Sequence, residues 1–431
     1  MKLSIISLGC SKNLMDSELF LGMAKQYNID LTNDFNKSDI IVINTCGFIT
    51  SSKEESIDTI IEMLDYQKEG KKILVMGCLV ERYLDSLKEE IPEVDHFIPI
   101  KDYSTLNKFF SKLTGIQKNI DFYSANRILS TPKNTAYLRI GEGCSNNCAY
   151  CAIPLIRGPY KSRAYEEIMK EIEYLHKLGI QELTIIQQDT SKYGSDMNNM
   201  SLAKLLDNIC NLNYFRWVRV LYMYPDEITD ELIDVFAKHD SLLNYFDIPI
   251  QHASNKILKA MNRRGNQDLI KTLIQKIRNK IPNSIIRSTL IVGFPGETSK
   301  DFDILFDFVN DVKFDHLGVF TYSDEEGTKA FNYPHKVRSS TSEKRKEQIM
   351  LLQYDINFER LTKLIGSNVT AIVDHYDFEQ KQYALRYFAQ ALDDADGYIY
   401  VEHNNLNIGD FVEVEIIDVL GYDLIGKIKE F

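Results

Sequence analysis

Cys144, Cys148 and Cys151 lie in GEGCSNNCAYC, a CxxxCxxC loop directly after an apolar run that reads as a β-strand. Three thiolates at that spacing suit a four-iron four-sulfur cluster, and with no fourth cysteine nearby one iron keeps an open coordination position. An open iron can be chelated by the amine and carboxylate of S-adenosylmethionine (SAM), and an electron from the cluster then splits the sulfonium to release a radical. Structural zinc is the plainer use of such a loop, but zinc favours four ligands and this loop supplies three. Three more cysteines, Cys10, Cys46 and Cys78, each close an apolar run (LSIISLGC, DIIVINTC, KKILVMGC) and each neighbours a glycine, Gly9, Gly47 or Gly77. They are spaced by about one βαβ unit. Cysteines that follow parallel strands emerge on one carboxyl edge of the sheet, where open α/β folds bind ligands, so this trio can converge in space. Read alone, the three could equally be small buried core residues. Cys210, in LLDNICNLNY on a predicted helix, has no partner motif and reads as structural.

These cysteines need scaffolds, and 431 residues exceed what one hydrophobic core usually supports, so two or three domains are expected. Residues 1–117 alternate short apolar strands with amphipathic helices and predict a Rossmann-like α/β domain. Residues 118–134 are polar with weak periodicity and read as a linker. Within 135–365, AYLRIGEGC, ELTIIQQD, WVRVLYMYP, YFDIPIQH, IIRSTLIVGFPG and HLGVFTY are strand candidates separated by helix-length segments. Those βα repeats predict a partial (βα)6 barrel of the TIM type, closed off by a helix over about 342–364. Residues 366–431 switch to short strands with turn signals and predict a small antiparallel β barrel, making the whole an α/β multidomain protein.

Apolar content of 44% and charged content of 26% exclude wholesale disorder, collagen and membrane classes. The longest apolar runs fall far short of the roughly 20 residues that cross a bilayer. The opening MKLSIISLGC resembles a lipoprotein signal, but its apolar stretch is too short and strand spacing explains it better. Seven cysteines, an odd number, argue against a disulfide framework and for a reducing, cytoplasmic compartment. The formal net charge is -12, and residues 366–431 hold 13 Asp or Glu against four Lys or Arg, a charge of -9. That balance makes RNA binding an unfavourable expectation and a basic protein partner a favourable one.

The CxxxCxxC loop, with Tyr150 in the aromatic position before its last cysteine, resembles the radical SAM signature. The resemblance implies cofactor contacts from Tyr150 of the loop, Gln187, Gln188, Asp189 and Thr190 of QQDT, Gln251 of IPIQH, and Gly293, Pro295, Gly296 and Glu297 of IVGFPGET. With the N-terminal trio and the terminal barrel, the domain order resembles the methylthiotransferase family over nearly the whole chain. That likeness implies a second 4Fe-4S cluster on Cys10, Cys46 and Cys78, and a C-terminal TRAM domain of OB-like form. GCSKNLMDSE, IPLIRGPYKSR, QDTSKYG, YMYPDEI and YSDEEGTKA are similar to the branch that modifies an aspartate of a small-subunit ribosomal protein. The branch acting on adenosine in transfer RNA has an Arg-containing loop where this chain has Asp324, Glu325 and Glu326.

What the family implies is a division of labour. One SAM methylates sulfur at the N-terminal cluster; a second is cleaved, and the radical takes hydrogen from the unactivated β carbon that receives the methylthio group. A reductant and a sulfur donor are required, and the residues identify no general base. The acidic terminal barrel is expected to dock the basic substrate through Asp393, Asp394, Asp396, Glu413 and Glu415, separably from SAM cleavage. The alternatives are a transfer-RNA methylthiotransferase and a non-catalytic electron-transfer module, the latter disfavoured by an open iron and a (βα) barrel.

Overall fold

The computed structural model describes residues 1–122, 126–393 and 395–429, and the chain divides into two compact units. One comprises Met1–Ser130, Glu142–Tyr160 and Ser323–Phe331. The other comprises Thr131–Gly141, Lys161–Tyr322 and Asn332–Phe431. The CxxxCxxC loop lies in the unit of the N-terminal sheet, and the strand that leads into it lies in the other.

In the first unit, β1 (Lys2–Ser7), β2 (Asp30–Leu31), β3 (Ile40–Thr45), β4 (Lys72–Gly77) and β5 (His96–Ile98) form a parallel sheet in the order β2-β1-β3-β4-β5. α1 (Ser11–Gln26), α2 (Thr50–Leu64), α3 (Cys78–Glu90) and α4 (Leu106–Thr114) connect or flank these strands. β3 is buried along its length, as a parallel strand covered on both faces must be. Its side chains alternate: Val42 packs with Leu3, Phe20, Leu74 and Met76, whereas Ile41 and Ile43 pack with Ile60, Ile73 and Val75. The segment expected as a linker is tied down at its far end. Arg127 Nη1 donates to Glu18 at 2.6 Å, and the Ser130 amide donates to the same carboxylate at 2.8 Å. The middle of that segment, 123–125, lies outside the described residues.

The second unit carries six parallel strands in chain order: β6 (Thr135–Arg139), β7 (Glu182–Ile186), β8 (Trp217–Val220), β9 (Leu242–Asp247), β10 (Ile285–Val292) and β11 (His316–Thr321). The helix α5 (Ile153–Arg157) belongs to the first unit, and α6 (Tyr165–Lys177), α7 (Leu202–Asn211), α8 (Asp230–Lys238), α9 (Asn255–Ala260), α10 (Gln267–Lys280) and α11 (Ser299–Val312) to this one. This is the partial (βα)6 barrel. After α12 (Ser339–Thr362), strands β12 (Asn368–Asp377), β13 (Gln382–Tyr387), β14 (Ile399–Val401), β15 (Phe411–Leu420) and β16 (Asp423–Ile428) close a small barrel. It is antiparallel except that β14 and β16 run parallel, a pairing that the turn signals did not reveal.

The small barrel meets the six-stranded sheet through buried charge. Arg386 of β13 donates to Glu182 at 2.7 Å and to Asp374 at 2.6 Å, with its side chain and that of Glu182 fully buried. Arg219 donates to the carbonyls of Phe388 and Gln390, each at 2.9 Å. Tyr245 donates to Asp396 at 2.5 Å, and Arg287 grips Asp393 with two bonds of 2.9 and 2.8 Å. Because Glu182 opens β7 and His316 opens β11, this contact lies toward the amino ends of the strands, opposite the edge where (βα) barrels place their ligands. Two of the acids expected to face a partner are therefore corrected: Asp396 is buried against the sheet, and Asp393 is spent on Arg287. Asp394 lies outside the described residues.

His316 Nε2 donates to the Ala389 carbonyl at 2.7 Å. Burial, against the pull of nearby Asp396, pushes its imidazole down to about 4. An unfolded chain takes up this proton near 6.5, so between about pH 6.5 and 4 the unfolded state binds a proton that the folded state refuses. Stability is then lost as pH falls through that window, by up to about 3 kcal/mol. His316→Gln keeps an N–H donor and is expected to flatten this part of the pH profile in a series of urea unfolding midpoints.

Candidate functional site: two cysteine trios

Cys10 caps the start of α1 after β1, Cys46 follows β3, and Cys78 begins α3 after β4. In a sheet of order 2-1-3-4-5 the chain reverses direction of growth between β1 and β3, the crevice where doubly wound folds bind ligands. Cys10 and Cys46 flank that crevice and Cys78 follows the next strand. Cys10 is exposed, whereas Cys46 and Cys78 are buried. The loops must approach closely. Gly9 has φ +84°, and a Cβ there would lie 3.0 Å from Cys46 Sγ; Gly77 has φ +101°, and a Cβ would strike Asn44 Oδ1 at 2.2 Å.

Asn13, fully buried on α1, locks these strand ends together. Its Nδ2 donates to the Leu8 and Thr45 carbonyls at 3.1 and 2.9 Å, and its Oδ1 lies 3.2 Å from Cys78 Sγ. Arg157 reaches the same place. Its Nη2 lies 2.6 Å from Asn13 Oδ1 and 3.5 Å from Cys78 Sγ, and its Nη1 lies 2.6 Å from Asp16. Burial, reinforced by Cys10 and Cys46, pushes the Cys78 thiol up to about 12 against the pull of Arg157. Burial raises Cys46 as well. Thiols held this far above neutrality are poor nucleophiles, and they become thiolates when a metal takes the place of the proton.

The other trio sits on a loop that is tightly closed. The Cys144 amide donates to the Gly158 carbonyl at 3.2 Å, and the Cys151 amide donates to the Cys148 carbonyl at 3.0 Å. The segment Ser323–Phe331 braces it, with the Ala330 amide donating to the Ala149 carbonyl at 2.8 Å. Cys144, Cys148, Tyr150 and Cys151 are all half-buried. Among the described residues no three His, Cys, Asp or Glu side chains surround a single-ion position. A four-iron cluster asks for something else, one thiolate at each of three corners, and two sets of three cysteines fit that demand. Cys210 is a buried thiol raised to about 11 by its surroundings, chiefly desolvation.

In the second unit the candidate SAM residues gather at the carboxyl ends of β7, β9 and β10. Gln187 is buried, and neither atom of its amide has a hydrogen-bond partner among the described residues. An orphaned buried amide at a strand end is the kind of group a polar ligand satisfies. Gln188 is half-buried, and Asp189 is buried with the Ser191 hydroxyl 2.5 Å away. Gln251 takes φ +70°, with its amide donating to the Thr289 carbonyl at 2.8 Å. Gly293 is enclosed, since a Cβ would lie 1.9 Å from Ser342 Oγ; Pro295 is buried, and the amide of the half-buried Gly296 donates to the His335 carbonyl at 2.9 Å. The Glu297 carboxylate is occupied by the protein itself. It accepts the Gly293 and Phe294 amides at 2.7 and 3.2 Å and Arg345 at 2.8 Å, which shapes the GFPG turn.

Sequence reasoning singled out none of Asn13, Asp16 or Arg157. The first two stand three apart on α1, one face of a helix. That spacing was the available signal, but nothing local connects them to Arg157.

A parallel (βα) sheet with a three-cysteine loop defines a radical SAM enzyme, and the family comparisons agree. Residues 138–309 match the radical SAM superfamily, 2–99 match uncharacterized protein family UPF0004, and 365–428 match the TRAM domain. A solved structure of the radical SAM methyltransferase TsrM from Kitasatospora setae is similar in fold, with TM-score 0.55 and 12% identity over 74% of this chain and 72% of that one. The ribosomal protein uS12 methylthiotransferase RimO of Clostridioides difficile (strain 630) is 44% identical over 99% of both chains. That of Alkaliphilus oremlandii (strain OhILAs) is likewise 44% identical over 99% of each. The chain belongs to the RimO family of methylthiotransferases, and its cofactors are SAM and 4Fe-4S clusters. No helix among the described residues is long and apolar enough to cross a membrane.

Proposed function

We propose that this protein attaches a methylthio group to the β carbon of an aspartate in ribosomal protein uS12. Full-length identity of 44% to methylthiotransferases named for that substrate carries the reading. Cys144, Cys148 and Cys151 hold the cluster that leaves an iron open to SAM, and Cys10, Cys46 and Cys78 hold the second cluster. When bound, these groups supply the one-electron chemistry needed at a carbon that side-chain acids and bases cannot deprotonate. The protein's own part is placement. Asn13 and Arg157 fix Cys78, the Cys144–Gly158 bond fixes the CxxxCxxC loop, and Gln187, Gln188, Asp189, Gln251 and the Gly293–Gly296 turn are the candidate SAM contacts.

A basic substrate docks on the acidic small barrel through its exposed carboxylates, among them Glu379, Glu402, Glu415 and Asp418. The reaction draws on a reductant and a sulfur donor in the cytoplasm. The test is mass spectrometry of uS12 from cells with and without the gene. Loss of about 46 mass units from uS12, the increment for replacing hydrogen by methylthio, is the expected result. An unchanged uS12 mass together with a changed transfer RNA would reassign the substrate.

A further inference from the structure

Arg157 lies outside both cysteine motifs, yet it bridges them. It ends α5, six residues after Cys151, and its side chain is 2% exposed. The guanidinium uses one end for Asp16 at 2.6 Å and Glu142 at 3.5 Å, and the other for Asn13 Oδ1 at 2.6 Å and Cys78 Sγ at 3.5 Å. The carbonyl of the next residue, Gly158, holds the Cys144 amide. Two consecutive residues thus meet a cysteine from each trio.

We infer that Arg157 is a positioning residue for the N-terminal cluster: it aims Cys78 Sγ at the iron and sets the cluster's reduction potential through an N–H···S bond. This rests on the ligand assignment proposed above. As a thiol, Cys78 can donate to Asn13 Oδ1 at 3.2 Å. As a metal-bound thiolate it has no proton to give, and it then needs a donor. Arg157 Nη2 is that donor, and it keeps Asn13 Oδ1 satisfied at the same time. Hydrogen bonds and positive charge at a cluster sulfur favour the electron-rich state, so they raise the potential. Asp16 fixes the fork from behind, in the manner of a charge-assisted pair. Lysine, a point charge, cannot serve Asp16 and Cys78 together.

The test uses the full-length chain with Cys144, Cys148 and Cys151 changed to Ala, so that one cluster remains. Into it are placed the pair Arg157→Gln with Asp16→Asn, which removes both charges together, and separately Arg157→Lys, which keeps them. Iron per chain and the midpoint potential by electron paramagnetic resonance are read for each. The charge-free pair is expected to shift the potential to more negative values, and Arg157→Lys to fall between it and the parent. Loss of iron at an unchanged melting temperature would equally support a positioning role. A full cluster whose potential is the same in all three proteins overturns the inference. A parent that binds no iron overturns the ligand assignment instead. Should the charge-free pair not fold, Arg157→Lys decides alone, and an unshifted potential there refutes the role.

Discussion

Truncation after Ile365 is expected to abolish reductive SAM cleavage along with methylthiolation, because the small barrel is part of the fold that carries the candidate SAM residues. Its removal would leave Glu182, Arg219 and Arg287 without Arg386, the Phe388 and Gln390 carbonyls, and Asp393. Breaking one buried pair by removing a partner costs about 3–5 kcal/mol. Net stabilities are of the order of 5–15 kcal/mol, so losing several such partners together exceeds what the sheet can absorb. Arg386→Met makes the same point within the intact chain. It leaves the buried Asp374 without its arginine and Glu182 with Arg219 alone, 3.6 Å away, and is expected to cost about 3–5 kcal/mol in urea unfolding. A truncated chain that melts like the intact one and still releases 5′-deoxyadenosine would contradict this account. Docking is separable only by surface changes. Glu415→Lys with Asp418→Lys, both exposed, should leave unfolding unaltered while slowing association with uS12, most visibly at low salt.

The second large effect concerns the division between the trios. Changing Cys10, Cys46 and Cys78 to Ala is expected to take methylthiolation below detection while reductive SAM cleavage continues, and to remove about four irons per chain, one cluster's worth. Changing Cys144, Cys148 and Cys151 instead should remove a similar amount of iron and stop both reactions. The asymmetry follows from where the open iron is placed, since only the second set prevents SAM from being cleaved at all. Iron and sulfide per chain, 5′-deoxyadenosine release and the mass of uS12 are the three readings. Methylthiolated uS12 from the first variant would remove the N-terminal trio from the chemistry.

The candidate cysteines were legible because their signals are local: CxxxCxxC is a spacing within eight residues, and each N-terminal cysteine follows a short apolar run of strand length. The six-stranded sheet was legible for the same reason, with each βα repeat announcing its own strand. What escaped was pairing across long sequence separations. Arg157 and Asn13 are 144 residues apart, and Arg386 and Glu182 are 204 apart, so no window along the chain contains both partners. Net charge misled in a specific way. Counting acids in the terminal segment says nothing about direction, and Asp374, Asp393 and Asp396 turn inward to arginines or, for Asp396, to a tyrosine. The parallel pairing of β14 with β16 was hidden likewise, because turn residues report only the hairpins between adjacent strands.

The late segment Ser323–Phe331 has a bearing on how the protein is made. Glu325, 1% exposed, takes Lys53 at 2.9 Å and Arg82 at 2.8 Å, partners 272 and 243 residues upstream. During synthesis the sheet that holds Cys10, Cys46 and Cys78 is therefore complete in sequence long before its counter-ion exists. At roughly 5–20 residues per second the ribosome needs on the order of 10–40 seconds to advance from the end of the first segment to Glu325. Over that interval Lys53 and Arg82 have no Glu325 carboxylate to pair with. The carboxylate that neutralises Lys53 and Arg82 is thus among the last parts of this unit to be synthesised, after both cysteine trios.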